Sequence, residues 1–334
     1  MKILLDSDIV ELLKNQKNLL AFSGGSDSSA LFFILQEEDI PFDIAIVDYK
    51  LRDKSFLEAE YAKKLAKIYH KKIFIKTAPI KPPSIEEKAR KIRYSFFEDI
   101  IKRYSYQNLI TAHNLNDQLE WFLMQFTKGA GVVELIGMQK ISKKESYSII
   151  RPLLDTSKKE IKEYIKDKKI KYFEDFTNID QSFKRNFFRS QFSNHLIDLF
   201  EQGIKRSFSY LAKDKEMILE GVESLKIKNL FIIKNQKNEI KNLRAIDQIV
   251  KTLGYLLSSK QKREIFGQKD IVIGGKIAIG IKENFIFISP FVKKRMDKKF
   301  KESCRVLKIP KFIRGYIYSD NIDLNKIKNY IQKD

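Results

Sequence analysis

One stretch of sequence decides the fold: Leu19-Leu20-Ala21-Phe22-Ser23-Gly24-Gly25-Ser26-Asp27-Ser28. Its four apolar residues predict a buried strand, and the helical pattern that starts at Ser28 predicts a helix directly after the two glycines. Glycines let backbone amides approach phosphate oxygens closely, and a helix N-terminus favours negative charge. The stretch therefore predicts a strand, a phosphate-binding loop and a helix in that order.

The loop lacks a lysine and carries an acid instead. No Gly-Lys-Ser/Thr follows the glycines, so the loop is not of the Walker type. Asp27 would repel a phosphate unless a divalent cation lay between them, so the motif implies Mg²⁺. The alternative is an ordinary glycine turn in which Asp27 caps the helix.

The first half of the chain alternates short apolar runs with longer amphipathic stretches, which is typical of a parallel sheet flanked by helices. The candidate strands are Leu19–Phe22, Phe42–Val47, Ile73–Lys76 and Asn108–Ala112. Ligands gather at the carboxyl ends of such strands. We therefore expect an α/β fold with its site at that edge of the sheet.

The pattern changes after about Arg189. Residues 191–268 are predicted to be mostly helical, with one long basic helix at Ala245–Ile265, and Asp270–Ile288 alternates as a strand, a turn and a strand do. This predicts a catalytic domain at 1–190, a helical region at 191–268 and a small β-containing region at 269–334.

The composition of the chain limits the kinds of partner and cofactor that it can have. The 334 residues carry a net charge of +21, which fits a nucleic-acid partner, although a lysine-rich genome would raise the charge as well. The single cysteine, Cys304, excludes internal disulfides and a cysteine-ligated cluster. No apolar run approaches membrane-spanning length, so we expect a cytoplasmic protein without a membrane partner.

A second polar cluster begins where the fourth strand ends. His113, Asp117 and Glu120 are spaced by four and three residues, so they share one helix face near the phosphate loop. Two carboxylates that face a cleft need a cation, either a metal ion or an alkylammonium group. The alternative is a solvated polar helix face.

Several of these motifs resemble those of a known protein superfamily. Ser23–Ser28 is similar to the SGGxDS signature of the PP-loop ATP pyrophosphatases, which cleave ATP to AMP and pyrophosphate. Within that superfamily the chain resembles the tRNA(Ile)-lysidine synthetases, and the resemblance covers about residues 19–190. The segments that carry it are TAHNLNDQLEWFLMQFTKGAGVVELIGM at 111–138, the block 84–97, Arg151-Pro152-Leu153-Leu154, and Asp175 to Asn178 with Arg185-Asn186 and Arg189.

The resemblance implies an adenine nucleotide α-hydrolase-like PP-loop fold and a reaction. The C2 oxygen of the wobble cytidine in the CAU anticodon of an isoleucine tRNA attacks ATP, and free L-lysine then displaces AMP. ATP and Mg²⁺ are the implied cofactors.

The resemblance also implies site residues. Catalytic roles fall to Asp27, Asp117, Arg185 and His113. The implied binding residues are Ser23, Gly24, Gly25, Ser26, Asp27 and Ser28 for ATP, Asp117 and Glu120 for lysine, Arg90 and Arg93 for RNA or ATP, and Asp27 for Mg²⁺. Lys88 and Arg52 are candidates of the same kind as Arg90 and Arg93, and a surface position remains the alternative for Arg185. With a tRNA substrate, residues 191–268 become a tRNA-contacting region.

The chain departs from the family pattern at two places. Ile46 and Tyr49 stand in a block where the family often has histidines, and Lys128 replaces an arginine. Three other functions remain open. A tRNA-thiolating enzyme normally needs cysteine pairs, an amidating synthetase needs an ammonia source, and a non-catalytic RNA-binding protein would release no pyrophosphate.

Overall fold

The computed structural model describes residues 2–51, 55–80, 85–174, 184–220 and 223–332. The chain divides into two compact units, Met1–Lys213 and Asp214–Asp334. Among the described residues, no helix combines the length and apolar character needed to cross a bilayer.

A six-stranded sheet organises the first unit, with the strand order β3-β2-β1-β4-β6-β5. The strands are β1 Asn18–Ala21, β2 Phe42–Asp48, β3 Ile73–Thr77, β4 Asn108–Ile110, β5 Ile141–Lys143 and β6 Ser148–Ile150. Strands β3, β2, β1, β4 and β6 are parallel, and β5 is an antiparallel edge strand. The predicted parallel α/β sheet is confirmed.

Helices cover both faces of this sheet. They are α1 Ser7–Lys14, α2 Ser26–Glu37, α3 Phe56–Ile68, α4 Ile85–Tyr104, α5 Leu115–Phe126, α6 Val132–Leu135, α7 Lys158–Asp167 and α8 Lys184–Phe188, followed by a π-helical turn, Arg189–Ser193, and by α9 Asn194–Leu219. Successive residues of β1 enter different cores, because strand side chains alternate between faces. Leu20 packs with Phe32 and Tyr164, whereas Leu19 packs in a separate cluster with Phe97.

The sheet brings three helix N-termini to one edge. Strands β1, β4 and β6 are adjacent and parallel, and their carboxyl ends lead towards α2, α5 and α7. Two hydrogen bonds fix α5 against the start of α7. The amide of Leu115 donates to the Thr156 carbonyl over 2.9 Å, and the amide of Lys158 donates to Asn116 Oδ1 over 2.9 Å.

The second unit contains a five-stranded antiparallel sheet in the order β7-β8-β11-β10-β9. Its elements are β7 Ser224–Ile227, β8 Leu230–Lys234, α10 Glu239–Thr252, α11 Ser259–Gly267, β9 Asp270–Ile273, β10 Ile277–Ile281, β11 Phe285–Pro290, α12 Lys298–Val306, α13 Arg314–Ser319 and α14 Leu324–Ile331. The expected strand, turn and strand after Asp270 are present, with positive φ at Gly274 and Gly275 in the turn.

Residues 191–268 are mostly helical, as predicted, but two strands that were not predicted, β7 and β8, also lie within them. Strand β8 pairs with β7 and with β11. Strand β8 is apolar on both faces: Phe231 and Ile233 enter one core, and Leu230 and Ile232 enter the other. The boundary between the two compact units falls between Lys213 and Asp214.

The predicted long helix Ala245–Ile265 is two helices, α10 and α11. Gly254 has a φ of +79°, which ends the first helix in the left-handed region. Ser258 then starts the second helix with a capping box, in which its hydroxyl accepts from the amide of Gln261.

Candidate active site

The phosphate loop begins where β1 ends. Helix α2 starts at Ser26 with Gly25 as its N-cap, so Asp27 lies in the first helical turn and does not cap the helix. Gly24 has a φ of +77°, and a Cβ there would lie 3.2 Å from the Glu58 side chain. Glycine is required at this position because it avoids both the strain and the contact.

The serines of the loop have different environments. Ser28 is buried, and its hydroxyl accepts from the amide of Ser23 over 3.2 Å and donates to the Gly25 carbonyl over 3.1 Å. Ser23 is exposed, and its Oγ lies 3.0 Å from Ser28 Oγ. Ser28 therefore shapes the loop, whereas Ser23 and Ser26 are the hydroxyls more accessible to a ligand.

Asp27 is paired with a lysine from a distant part of the chain. Lys158, the first residue of α7, places its Nζ 2.5 Å from Asp27 Oδ1 and 2.8 Å from Ser26 Oγ. Burial raises the pKa of Asp27, the ammonium of Lys158 opposes the shift, and the carboxylate of Asp117 adds to it. Because the backbone amide of Lys158 also donates to Asn116 of α5, the phosphate loop and the acidic helix lie close together.

Helix α5 holds the predicted acidic residues. Asn114 and Asp117 form a capping box in which each backbone amide donates to the other's side chain over 3.1 Å. Asp117 Oδ2 is used in this cap, which leaves Oδ1 for a cation. Glu120 lies one turn further along the helix, and its side chain is 1% exposed.

Two arginines form ion pairs with these carboxylates. Arg185 donates from Nη2 to Asp117 Oδ1 over 2.5 Å and from Nε to Glu120 Oε2 over 2.8 Å. Arg189 donates from Nε to Glu120 Oε1 over 2.5 Å and from Nη2 to Asp117 Oδ1 over 3.4 Å. The cluster is formally neutral, and the two carboxylates do bind cations, which here are guanidinium groups.

The environment shifts the pKa values of the two acids in opposite directions. Burial would raise the pKa of Asp117, but Arg185, His113 and Arg189 hold it below its usual range. Burial and the neighbouring Asp117 raise the pKa of Glu120. Glu120 is therefore the stronger proton acceptor of the pair.

His113 is neutral at physiological pH. Its pKa is lowered to about 4, chiefly by burial and in part by the guanidinium groups of Arg151, Arg185 and Arg93, against the attraction of Asp117. Its Nδ1 lies 2.9 Å from Thr111 Oγ1. A neutral imidazole can bind or orient a base but carries no charge for a phosphate.

Two of the remaining candidates, Arg90 and Arg93, lie on α4. Arg90 is exposed on α4 and its guanidinium lies 4.8 Å from the centroid of the Tyr94 ring, while Arg93 is near enough to affect His113. Tyr49 donates its hydroxyl to the Ala89 carbonyl of α4 over 3.0 Å, and Ile46 is buried in β2. Arg52, Ser84 and the segment Asp175 to Asn178 lie outside the described residues.

The sequence argument missed Lys158 and gave Arg189 no role. A signal for Lys158 was present, because a lysine in the first turn of a helix opposes the helix dipole and calls for an acidic partner. Within the part of the chain that the structure describes, no group of three or more His, Cys, Asp or Glu side chains could hold a metal ion. A magnesium ion at Asp27 would therefore depend on phosphate oxygens for its other ligands.

Comparisons with known proteins agree with this geometry. A model of the PP-loop domain matches residues 3–196. The tRNA(Ile)-lysidine synthase of Campylobacter jejuni (strain RM1221) is 46% identical over 96% of this chain and 98% of its own length. That of Helicobacter pylori (strain ATCC 700392 / 26695) is 43% identical over 93% of this chain and 92% of its own.

Among solved structures, the U34-tRNA thiolase NcsA from Methanococcus maripaludis aligns with 66% of this chain and 77% of its own, at 20% identity and a TM-score of 0.49. The two synthases match nearly the whole of this chain at high identity, and the PP-loop model covers its first unit up to α9. The chain therefore belongs to the tRNA(Ile)-lysidine synthase family, and its N-terminal part is a PP-loop domain.

Proposed function

We propose that this enzyme ligates free L-lysine to C2 of the wobble cytidine in the CAU anticodon of an isoleucine tRNA. The C2 oxygen attacks the α-phosphorus of ATP, the bond to the β-phosphate oxygen breaks, and pyrophosphate leaves. The ε-amine of lysine then attacks C2, the bond between C2 and oxygen breaks, and AMP departs with that oxygen. The amine loses its proton to the protein.

One observation supports this assignment above the others: Lys158 connects the phosphate loop with the acidic helix. Its Nζ contacts Ser26 and Asp27 of the loop, and its backbone amide donates to Asn116 Oδ1 of α5. The two parts therefore lie close together, as an enzyme needs when it joins an activated base to an amine.

Lysine would replace the arginines at the acidic pair. Asp117 and Glu120 already bind two cationic groups, and an alkylammonium group suits the same oxygens. Glu120 is the proton acceptor in this proposal, because its pKa is raised while that of Asp117 is lowered. Arg185, once displaced, could stabilise charge on the α-phosphate or on the adenylated base.

We assign Mg²⁺ to Asp27 together with the phosphates of ATP. Magnesium commonly binds proteins through one or two carboxylates and completes its shell with substrate phosphates and water. A single carboxylate at the loop fits this coordination pattern, and the bound ion would neutralise part of the negative charge of the phosphates. The carboxylate must first leave Lys158, with which it is paired.

The second unit would contribute RNA contacts. Lys251 and Lys262 both pair with the buried Asp247, so neither is a simple phosphate ligand. Lys260 is strongly exposed and Arg263 is exposed on the same helix, α11. Exposed cations of this kind bind RNA phosphates without reading sequence. A cytoplasmic location would fit a tRNA substrate.

The alternatives receive less support. A thiolating enzyme would need a reactive thiol, but Cys304 is buried, and burial raises the pKa of its thiol to about 11. A non-catalytic RNA-binding protein has no need for a lysine-paired acid in a glycine loop.

The test combines the protein with Mg²⁺, labelled lysine and an isoleucine tRNA with a CAU anticodon, with and without ATP. We expect ATP-dependent label on the RNA and release of one pyrophosphate per lysine. A tRNA with a UAU anticodon is the matched control and should stay unlabelled. Label without ATP, or equal label on both tRNAs, would reject the proposal.

A further inference from the structure

We infer that Lys158 is the phosphate-binding lysine of this enzyme: it contacts the β- and γ-phosphates of ATP and holds the pyrophosphate as it departs. The inference deepens the proposed function, because it names the residue that binds the leaving group. Neither the sequence motifs nor the family comparison assigns a role to this residue.

The geometry places Lys158 at the phosphate loop. Its Nζ lies 2.8 Å from Ser26 Oγ and 2.5 Å from Asp27 Oδ1, the two residues that open helix α2. Phosphates bind at this kind of helix N-terminus, because the free amides point towards them. The ammonium group therefore already lies where a phosphate in the loop would need a cation.

The chemistry requires such a cation. A Walker-type loop supplies a lysine from its own sequence, and this loop has none after its glycines. Lys158 reaches the same place from 131 residues further along the chain. Without it, the first turn of α2 would offer the triphosphate an acid and no positive side chain.

A purely structural role explains Lys158 poorly. The side chains of Lys158 and Asp27 are 31% and 30% exposed, and a partly exposed ion pair contributes little to stability. Lys158 is also the first residue of α7, where a positive charge opposes the helix dipole. A lysine at this position is better explained by a ligand than by folding.

The backbone holds Lys158 in place for this task. Ser157 and Glu160 form a capping box at the start of α7, and the Lys158 amide donates to Asn116 Oδ1. Because Asn116 belongs to the helix that carries Asp117, one residue links the phosphate loop with the acidic pair. When ATP binds, the ammonium group of Lys158 would contact the phosphates instead of Asp27, which would leave the Asp27 carboxylate unpaired.

The experiment compares Lys158→Gln, Lys158→Arg and Lys159→Gln. Lys159 is the exposed neighbour on the same helical turn, so its variant removes the same charge from the same helix. The first measurement is the dissociation constant of inorganic pyrophosphate, with Mg²⁺ and without tRNA or lysine, by titration calorimetry. The second is the KM for ATP and the KM for lysine in the complete reaction.

We expect Lys158→Gln to weaken pyrophosphate binding and raise the KM for ATP, each by about 10- to 100-fold, with the KM for lysine changed less than threefold. Lys158→Arg should recover most of the binding, and Lys159→Gln should match the wild type. Unchanged pyrophosphate binding in Lys158→Gln would overturn the inference, and so would equal rises in both KM values.

The binding measurement separates this inference from the proposed function. If the wild type binds pyrophosphate through Lys158 but transfers no lysine to tRNA, the proposed function fails and the role of Lys158 stands. If lysine transfer is normal and pyrophosphate binding is indifferent to Lys158→Gln, the proposed function stands and the role of Lys158 is refuted.

Discussion

Arg189 and Glu120 are joined by an ion pair of 2.5 Å between Nε and Oε1, although 69 residues separate them in the chain. The carboxylate is 1% exposed, and a second arginine, Arg185, binds its other oxygen. The acidic face of α5 is thus bound by cations of the protein itself. In the proposed reaction, lysine competes with these contacts.

The ion pair predicts a loss of stability on mutation. Arg189→Gln leaves two largely buried carboxylates with one guanidinium, so the free energy of unfolding should fall by about 1 to 3 kcal/mol. Lys63→Gln is the control, because Lys63 pairs with Glu60 in an exposed i,i+3 contact and should cost less than about 0.5 kcal/mol. Urea unfolding measures both, and equal losses would contradict the argument.

Asp117→Asn should lower lysine incorporation by about 10- to 100-fold while tRNA binding persists. The amide keeps the size of the side chain and can still accept the cap hydrogen bond, but it loses the charge that attracts an ammonium group. The readouts are labelled lysine on tRNA and a filter-binding assay for the tRNA. Normal incorporation would remove Asp117 from the site.

Asp27→Ala should abolish pyrophosphate release. The variant removes the carboxylate that we assign to Mg²⁺ and also leaves Lys158 without its partner. A coupled pyrophosphate assay measures the effect, and unchanged melting temperature and tRNA affinity would show that folding is intact. Release at the wild-type rate would show that the acid of the loop is dispensable.

Gly24→Ala should weaken ATP binding about tenfold or more, because left-handed backbone costs alanine about 1 kcal/mol and the new Cβ meets Glu58 at 3.2 Å. Gly254→Ala is matched in backbone, with a φ of +79° and no atom within 4 Å of the new Cβ. The control should lose similar stability and keep its affinity for ATP. Equal affinities in the two variants would argue against a phosphate-binding loop.

The low pKa of His113 predicts a pH dependence of stability. Between pH 6.5 and about 4 the unfolded chain gains a proton at this residue and the folded chain does not, so the free energy of unfolding falls as the pH falls. His113→Gln removes this contribution. The stability of the wild type relative to the variant should therefore drop by about 2 kcal/mol over this range. If the free energies of unfolding of the wild type and the variant changed with pH in parallel, folding would not lower the pKa of His113.

The sequence by itself determined the parts that depend on neighbouring residues. The run from Leu19 to Ser28 gave strand, glycine loop and helix, since apolar spacing and glycine act within a few residues. The same holds for the common face of Asp117 and Glu120, which helical periodicity fixes. Local patterns also located four strands of the first sheet, β1 to β4, and the glycine turn at Gly274, but they did not locate β5 and β6.

Only the tertiary structure decided which groups meet. Lys158 reaches Asp27 across 131 residues, and Arg185 reaches Asp117 across 68. Strand β8 is a strand because it pairs with β11, more than fifty residues later. These contacts arise from the order of strands in the sheets and the packing of helices upon them, and no local pattern contains that information. The topology decides which charged side chains of the site pair with one another, whereas the sequence fixes the chemistry of each side chain.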